Sequence, residues 1–182
     1  ELPLITRMLI SLTNTIASYW WLIILGMITA VFLFRKFIET REGKLLWHRF
    51  LLKLPVLGRV IQLRQLALFS RTFGNLLRNG VPILQALEIT ERVIGNAVLL
   101  REIHKLSPAI SQGEAMASVM RHSSLFPETM TSMVSVGEET AQVDDILVRI
   151  SDSYERQVSR MLKTLTAAME PMIILVLGIV VG

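Results

Sequence analysis

Residues 144–163 read DDILVRISDSYERQVSRMLK, and residues 164–182 continue as TLTAAMEPMIILVLGIVVG. Ile146, Ile150, Tyr154, Val158, Met161 and Leu165 recur at steps of three and four, which places them on one helical face. Asp145 with Arg149, and Asp152 with Arg156, are opposite charges four apart on the solvated sides. Beyond Lys163 the only charge is Glu170, and residues 171–182 carry no polar side chain. No turn signal separates the water-suited part from the apolar part. The pattern predicts one helix from Val143 to Gly182, roughly 60 Å long. It should bend at Pro171, whose ring crowds the carbonyl of Ala167 and which has no N–H to give. The alternative is two helices meeting at Glu170–Pro171, because proline disfavours helix in the residue before it.

Composition sets the surroundings of that helix. Of the 182 residues, 52% are hydrophobic, and the mean hydropathy is +0.51, which points to membrane segments. The chain does not begin with Met and ends within an apolar run, so a longer protein is expected. With no Cys there is no disulfide or thiolate chemistry to consider. Of 19 Lys and Arg residues only Arg7 precedes the first apolar run; the rest lie between Arg35 and Lys163. Membranes keep such segments on the cytoplasmic side. Acids are interspersed among the bases and no aromatic-plus-basic surface stands out, so no nucleic-acid partner is expected.

Residues 1–15 read as an external loop or pre-membrane segment. Residues 16–34 are uncharged, led by Tyr19, Trp20 and Trp21 and closed by Arg35 and Lys36, the interfaces a transmembrane helix needs. Residues 35–62 form a basic juxtamembrane linker. Within it Lys44–Leu54 is amphipathic, either lying on the membrane surface or serving as a first core helix before the Pro55–Gly58 turn. Residues 63–165 are expected to be a helical bundle domain, and 166–182 the start of a final membrane helix. In the bundle, Leu66, Phe69, Phe73 and Leu77 form a stripe stopped by Asn79–Gly80. A second helix runs from Pro82 to about Gly95 with Leu84, Leu87 and Ile94 inward. Asn96 caps a third, reaching Gln112–Gly113 with Pro108 as a possible interruption. Glu114 to about His122 and Glu128 to about Gly137 are the fourth and fifth, before the long final helix. The fold expected is all-α: six antiparallel helices flanked by transmembrane helices.

Chemistry of the enzymatic kind is not legible. His48, His104 and His122 are scattered without metal spacing, and there is no phosphate loop or nucleophile elbow. No cofactor or metal is called for. Glu138, Glu139, Asp144 and Asp145 cluster at a helix junction, where acids favour a helix start; a divalent cation is the other reading. They are also candidates for docking a basic partner. Glu170, an acid at the edge of apolar sequence beside Pro171, is a candidate intramembrane charge.

Residues 69–88, FSRTFGNLLRNGVPILQALE, resemble the opening helix pair of the type II secretion F-protein family. Leu125-Phe-Pro-Glu, Val136-Gly-Glu-Glu-Thr, Tyr154-Glu and Met169-Glu-Pro follow its second signature in order and spacing. Leu2-Pro-Leu-Ile-Thr and Leu54-Pro-Val-Leu-Gly fit the segment before it. The resemblance implies a non-enzymatic inner-membrane platform of a type II secretion or type IV pilus machine. It implies contact with the cytoplasmic assembly ATPase, with pilin or pseudopilin subunits, with other inner-membrane components and membrane lipids, and with further copies as a homo-oligomer. One departure stands out. After Val-Gly-Glu the family has x-Ser-Gly, whereas this chain has Glu139-Thr140-Ala141. Thr140 can still cap the long helix, but Ala141 takes a left-handed conformation less cheaply than Gly.

Two other classes are consistent with membrane segments. A two-span membrane sensor or signalling adaptor would need a sizeable external domain or a heptad linker to an output module. A transporter would need several polar residues within its spans, and only Glu170 qualifies.

Overall fold

The computed structural model describes residues 21, 24–29, 32–33, 35–36 and 40–181. Eight helices have defined bounds there: α1 (Arg41–Lys53), α2 (Leu57–Arg78), α3 (Ile83–Glu91), α4 (Ala97–His104), α5 (Leu106–Ser111), α6 (Met116–Arg121), α7 (Glu128–Glu139) and α8 (Val143–Val181). No strand occurs among the described residues, so the all-α reading holds. Residues 1–15 and most of 16–34 fall outside the described residues. Those described within 21–33 are helical, and Trp21, Met27 and Phe32 among them are exposed. Among the described residues, no helix is long and apolar enough to cross a membrane.

Helix α2 starts six residues before the expected bundle boundary at residue 63, inside the expected linker. No capping side chain announces it: its N-cap is Val56, a β-branched residue at φ 67°. The turn is set instead by Leu57 N–H donating to the Pro55 carbonyl (2.8 Å) and Gly58 N–H to that of Leu54 (2.9 Å). A Cβ at Gly58 would run into the Leu52 carbonyl oxygen, so only glycine lets α1 and α2 join this closely.

From there the stripe behaves as its spacing requires. Leu66, Phe69 and Phe73 are buried, as is Leu63 a turn earlier, while Leu77 is only partly buried; the two phenyl rings stack at 5.5 Å between centroids. Phe126, from the connection after α6, adds a tilted contact to Phe69 at 6.5 Å. Each such side chain removed from water contributes about 1.5–3 kcal/mol, an upper estimate because unfolded chains bury some of it already. Helix α8 runs antiparallel to α2 and presents Leu147, Ile150 and Tyr154 to it, all buried. The expected face is therefore right in outline but turned towards Leu147; Ile146, Val158 and Met161 are only partly buried. Gly74 makes the contact possible, since a Cβ there would lie 3.0 Å from the Asp144 carbonyl oxygen and from Leu147 Cβ.

The remaining helices are short and pack on their neighbours, α3 on α2 and α5, α6 on α5 and α7, α7 on α8. Their inward residues include Leu87, Ile103, Leu106, Met116, Met120, Met130 and Val134. Leu84 points out at 40% exposure; α3 ends at Glu91, yet Ile94 beyond it is buried as expected. The Asn96 cap forms as expected: its side-chain oxygen accepts from Val98 and Leu99 N–H at 3.0 and 3.1 Å. His48 completes it from α1, its Nδ1 accepting from Ala97 N–H at 2.9 Å. The expected third helix divides at Lys105 rather than at Pro108. The proline is still the cause, because it cannot donate to His104 and crowds that carbonyl four residues back. Counted among the described residues, the bundle from Leu57 onward thus has seven helices instead of six.

Candidate functional site

The α7–α8 junction gathers most of the acids singled out above, and its geometry follows from one capping motif. Ala141 N–H donates to the Glu138 carbonyl (3.4 Å) and Gln142 N–H to that of Gly137 (2.8 Å). That is the Schellman pattern, which needs a left-handed residue after the cap. Gly80 (φ 78°) and Gly113 (φ 84°) fill the place after α2 and α5, and here Ala141 does, at φ 55°. Thr140 does not cap α8. Its N–H and its hydroxyl both donate back to the Val136 carbonyl, at 3.0 and 2.7 Å, and so close α7. Gly137 sits where a Cβ would lie 3.2 Å from Val143 Cα and 3.3 Å from Ile146. Close approach of α7 to α8 depends on it.

The four carboxylates of this junction do different things. Glu138 is half-buried and turns onto α6, accepting from Met116 N–H at 2.6 Å and Ala117 N–H at 3.1 Å. The N-cap of α6 is Ala115, which has no side-chain acceptor, so Glu138 supplies the cap from another helix. Asp145 meets Arg78 of α2 at 2.5 Å. Glu139 is exposed, with the Ser135 hydroxyl 3.4 Å away, and Asp144 is half-exposed. Among the described residues no group of three His, Asp or Glu side chains is placed to hold a metal ion.

The i,i+4 pairs expected within α8 are replaced by pairs across the seam. Arg71 reaches Asp152 at 2.6 Å and Glu155 at 2.9 Å, and the bonds to Glu155 and then Asp152 push its guanidinium still higher than its ordinary value. Arg71 and Arg78 lie two turns apart on α2, as do Asp145 and Asp152 on α8, which is the register of an antiparallel pair. That matched spacing was the signal for these bridges. Below them Tyr154 is buried; burial raises its phenol above the ordinary value, and the neighbouring Thr129 does not complete a hydrogen bond to its hydroxyl. An open groove of about 570 Å³ follows the seam past Ala67, Leu68, Val158 and Leu162, edged by Arg64, Arg71 and Glu155. Helix α8 continues through Pro171 to Val181 without a break, so the single-helix reading holds over the described residues. The Glu170 side chain lies outside the described residues.

Residues 69–182 match the family model described as Type II secretion system (T2SS), protein F. The chain belongs to this family. It is similar over its whole length to the Type IV pilus assembly protein PilC of Thermus thermophilus, 37% identical over 183 residues, covering 45% of that protein. It is also similar to PilC of Pseudomonas aeruginosa, 32% identical over 184 residues and covering 49% of it. The Type II secretion system protein F of Pseudomonas aeruginosa is 29% identical over 180 residues, 99% of this chain and 44% of that protein. The chain thus spans about half the length of the curated relatives it matches. In this family member the Val136–Thr140 signature has structural work to do: Gly137 permits contact, Glu138 caps α6 and Thr140 closes α7. Where the family pattern leads to glycine, Ala141 holds the left-handed turn regardless.

Proposed function

We propose that this chain serves as the inner-membrane platform of a type II secretion or type IV pilus machine, coupling the cytoplasmic assembly ATPase to the assembly of pilin or pseudopilin subunits. The family match over residues 69–182 carries the reading. Support comes also from the uncharged run 16–34, proposed as a transmembrane helix, and the apolar run 166–182, proposed as the start of another. The bundle of residues 63–165, which holds most of the bases, then lies on the cytoplasmic side, with 1–15 outside and 35–62 linking. Other inner-membrane components, lipids and further copies of the platform complete its surroundings. No enzymatic step belongs to this role. Glu170 beside Pro171 is proposed to pair with a polar group of a neighbouring membrane helix.

The ATPase is proposed to meet the bundle end at Glu139 and Asp144, the two junction acids held neither by a cation nor by backbone N–H groups among the described residues. Crosslinking the intact protein to the ATPase in its host, with sites mapped, tests the reading. Crosslinks should form at the α7–α8 junction, and Glu139→Lys with Asp144→Lys should weaken them in a salt-dependent way. No crosslink from any bundle site would sink the platform role. Undiminished crosslinking in the charge-reversed protein would move the contact elsewhere.

A further inference from the structure

A second concavity shares no residue with the α7–α8 junction. It measures about 470 Å³ and lies where α1, the α4–α5 break and the connection after α6 meet. Arg49, Lys53, Lys105, His122, Ser123 and Ser124 line it. The one acid on its wall, Glu102, is already engaged, since Lys105 Nζ donates to both of its oxygens at 2.8 Å. Arg49 and Lys53, one turn apart on α1, have no ion pair among the described residues.

The polar groups between these cations include two donors. Ser123 Oγ accepts from Leu125 N–H at 3.3 Å, which leaves its own proton to give. His122 Nδ1 lies 2.9 Å from the Ser118 carbonyl and donates to it, so Nε2 of the neutral ring is an acceptor. The Ser124 N–H has no protein acceptor among the described residues. Bases drawn from separate elements into one hollow repel one another unless an anion sits among them. The volume falls within the range of small-ligand sites. A phosphate, with acceptor oxygens pointing in several directions, answers two unpaired cations and a set of donors at once.

We propose that this cavity binds an anionic phosphate group, with Arg49 and Lys53 as counter-charges, Lys105 as a third cation shared with Glu102, and the Ser123 hydroxyl and Ser124 N–H as orienting donors. The phosphate group has two sources, an anionic phospholipid headgroup or a soluble phosphate compound. The inference is independent of the platform role, because it rests on the lining of the cavity alone.

The test titrates the full chain, in neutral detergent, with dihexanoyl phosphatidylglycerol, with dihexanoyl phosphatidylcholine and with inorganic pyrophosphate. Phosphatidylglycerol or pyrophosphate should bind, and phosphatidylcholine should not. Arg49→Gln with Lys53→Gln, and separately Lys105→Gln, should each weaken binding about tenfold or more. Arg160→Gln, an exposed base outside the cavity, should leave it within about twofold. Binding of phosphatidylglycerol alone identifies a lipid headgroup; binding of pyrophosphate identifies a soluble phosphate. The proposal is overturned if neither probe binds or if only the α1 variant weakens binding, which would mean adsorption to one basic helix. It is overturned equally if Arg160→Gln weakens binding as much as the others, which would mean diffuse surface charge.

Discussion

Between α2 and α8 the contact is made by Phe73, Gly74, Leu147 and Ile150, all buried, with ion pairs only along its rim. Between α6 and α7 the decisive bonds run from two backbone N–H groups to a single carboxylate, Glu138. The first contact is non-directional and spread over many atoms, so its strength follows buried area. The second is directional and rests on one side chain. A long helix can afford the first kind. A six-residue helix such as α6 has too little surface of its own and needs its ends satisfied from outside.

Four substitutions sharpen that contrast. Phe73→Ala in the detergent-solubilised chain should cost about 3–5 kcal/mol, a large part of a domain's usual 5–15. A melting temperature equal to wild type would show that the seam is not the main store of stability. Glu138→Ala should cost about 1.5–3 kcal/mol, because it orphans the N–H groups of Met116 and Ala117. Hydrogen exchange should report the loss first at α6, while α2 stays protected; uniform loss along the chain would contradict a local cap. Ala141→Gly should raise stability by about 1 kcal/mol, since glycine is not penalised at φ 55°. A lower melting temperature would mean that the alanine methyl is needed where it stands.

The smallest effect belongs to Tyr154→Phe. Its hydroxyl is buried without a completed hydrogen bond, so removing it should change stability by less than about 1 kcal/mol at neutral pH. Burial raises the phenol above its usual 10.0, so the fold favours the neutral form. That contribution is whole below the unfolded value and is lost as pH rises through the folded one. Wild type should therefore lose stability in alkali more steeply than Tyr154→Phe, as seen by thermal melts at neutral and strongly alkaline pH. Parallel curves would place the tyrosine in a wetter setting.

The seam was more legible than the corner, and for the same physical reason. Leu66, Phe69 and Phe73 announce themselves by periodicity, and Asn96 and Gly80 by residue type, because burial and caps leave local marks. Glu138 read only as one acid among four, since a cap supplied from another helix leaves no trace in the capped segment. The start of α2 at Leu57 was hidden because Val56 is a poor candidate for a positive φ. The break at Lys105 lay three residues from the proline that causes it. The Arg71 and Arg78 bridges were legible only by matching two spacings far apart in the chain.

Helix α8 is one rod of 39 residues, about 58 Å at the usual rise per residue. Its first turns are fixed against Gly74 and Gly137, at the end of the bundle where Asp144 and Asp145 stand. A tilt of about 10° where α8 leaves the α2 seam near Val158 carries the far tip, roughly 34 Å on, sideways by about 6 Å. Pro171 sets where such a lever flexes, because the Ala167 carbonyl has no N–H to hold four residues on. The compliance of the rod is thus concentrated at a single peptide unit, beyond the part that α2 holds.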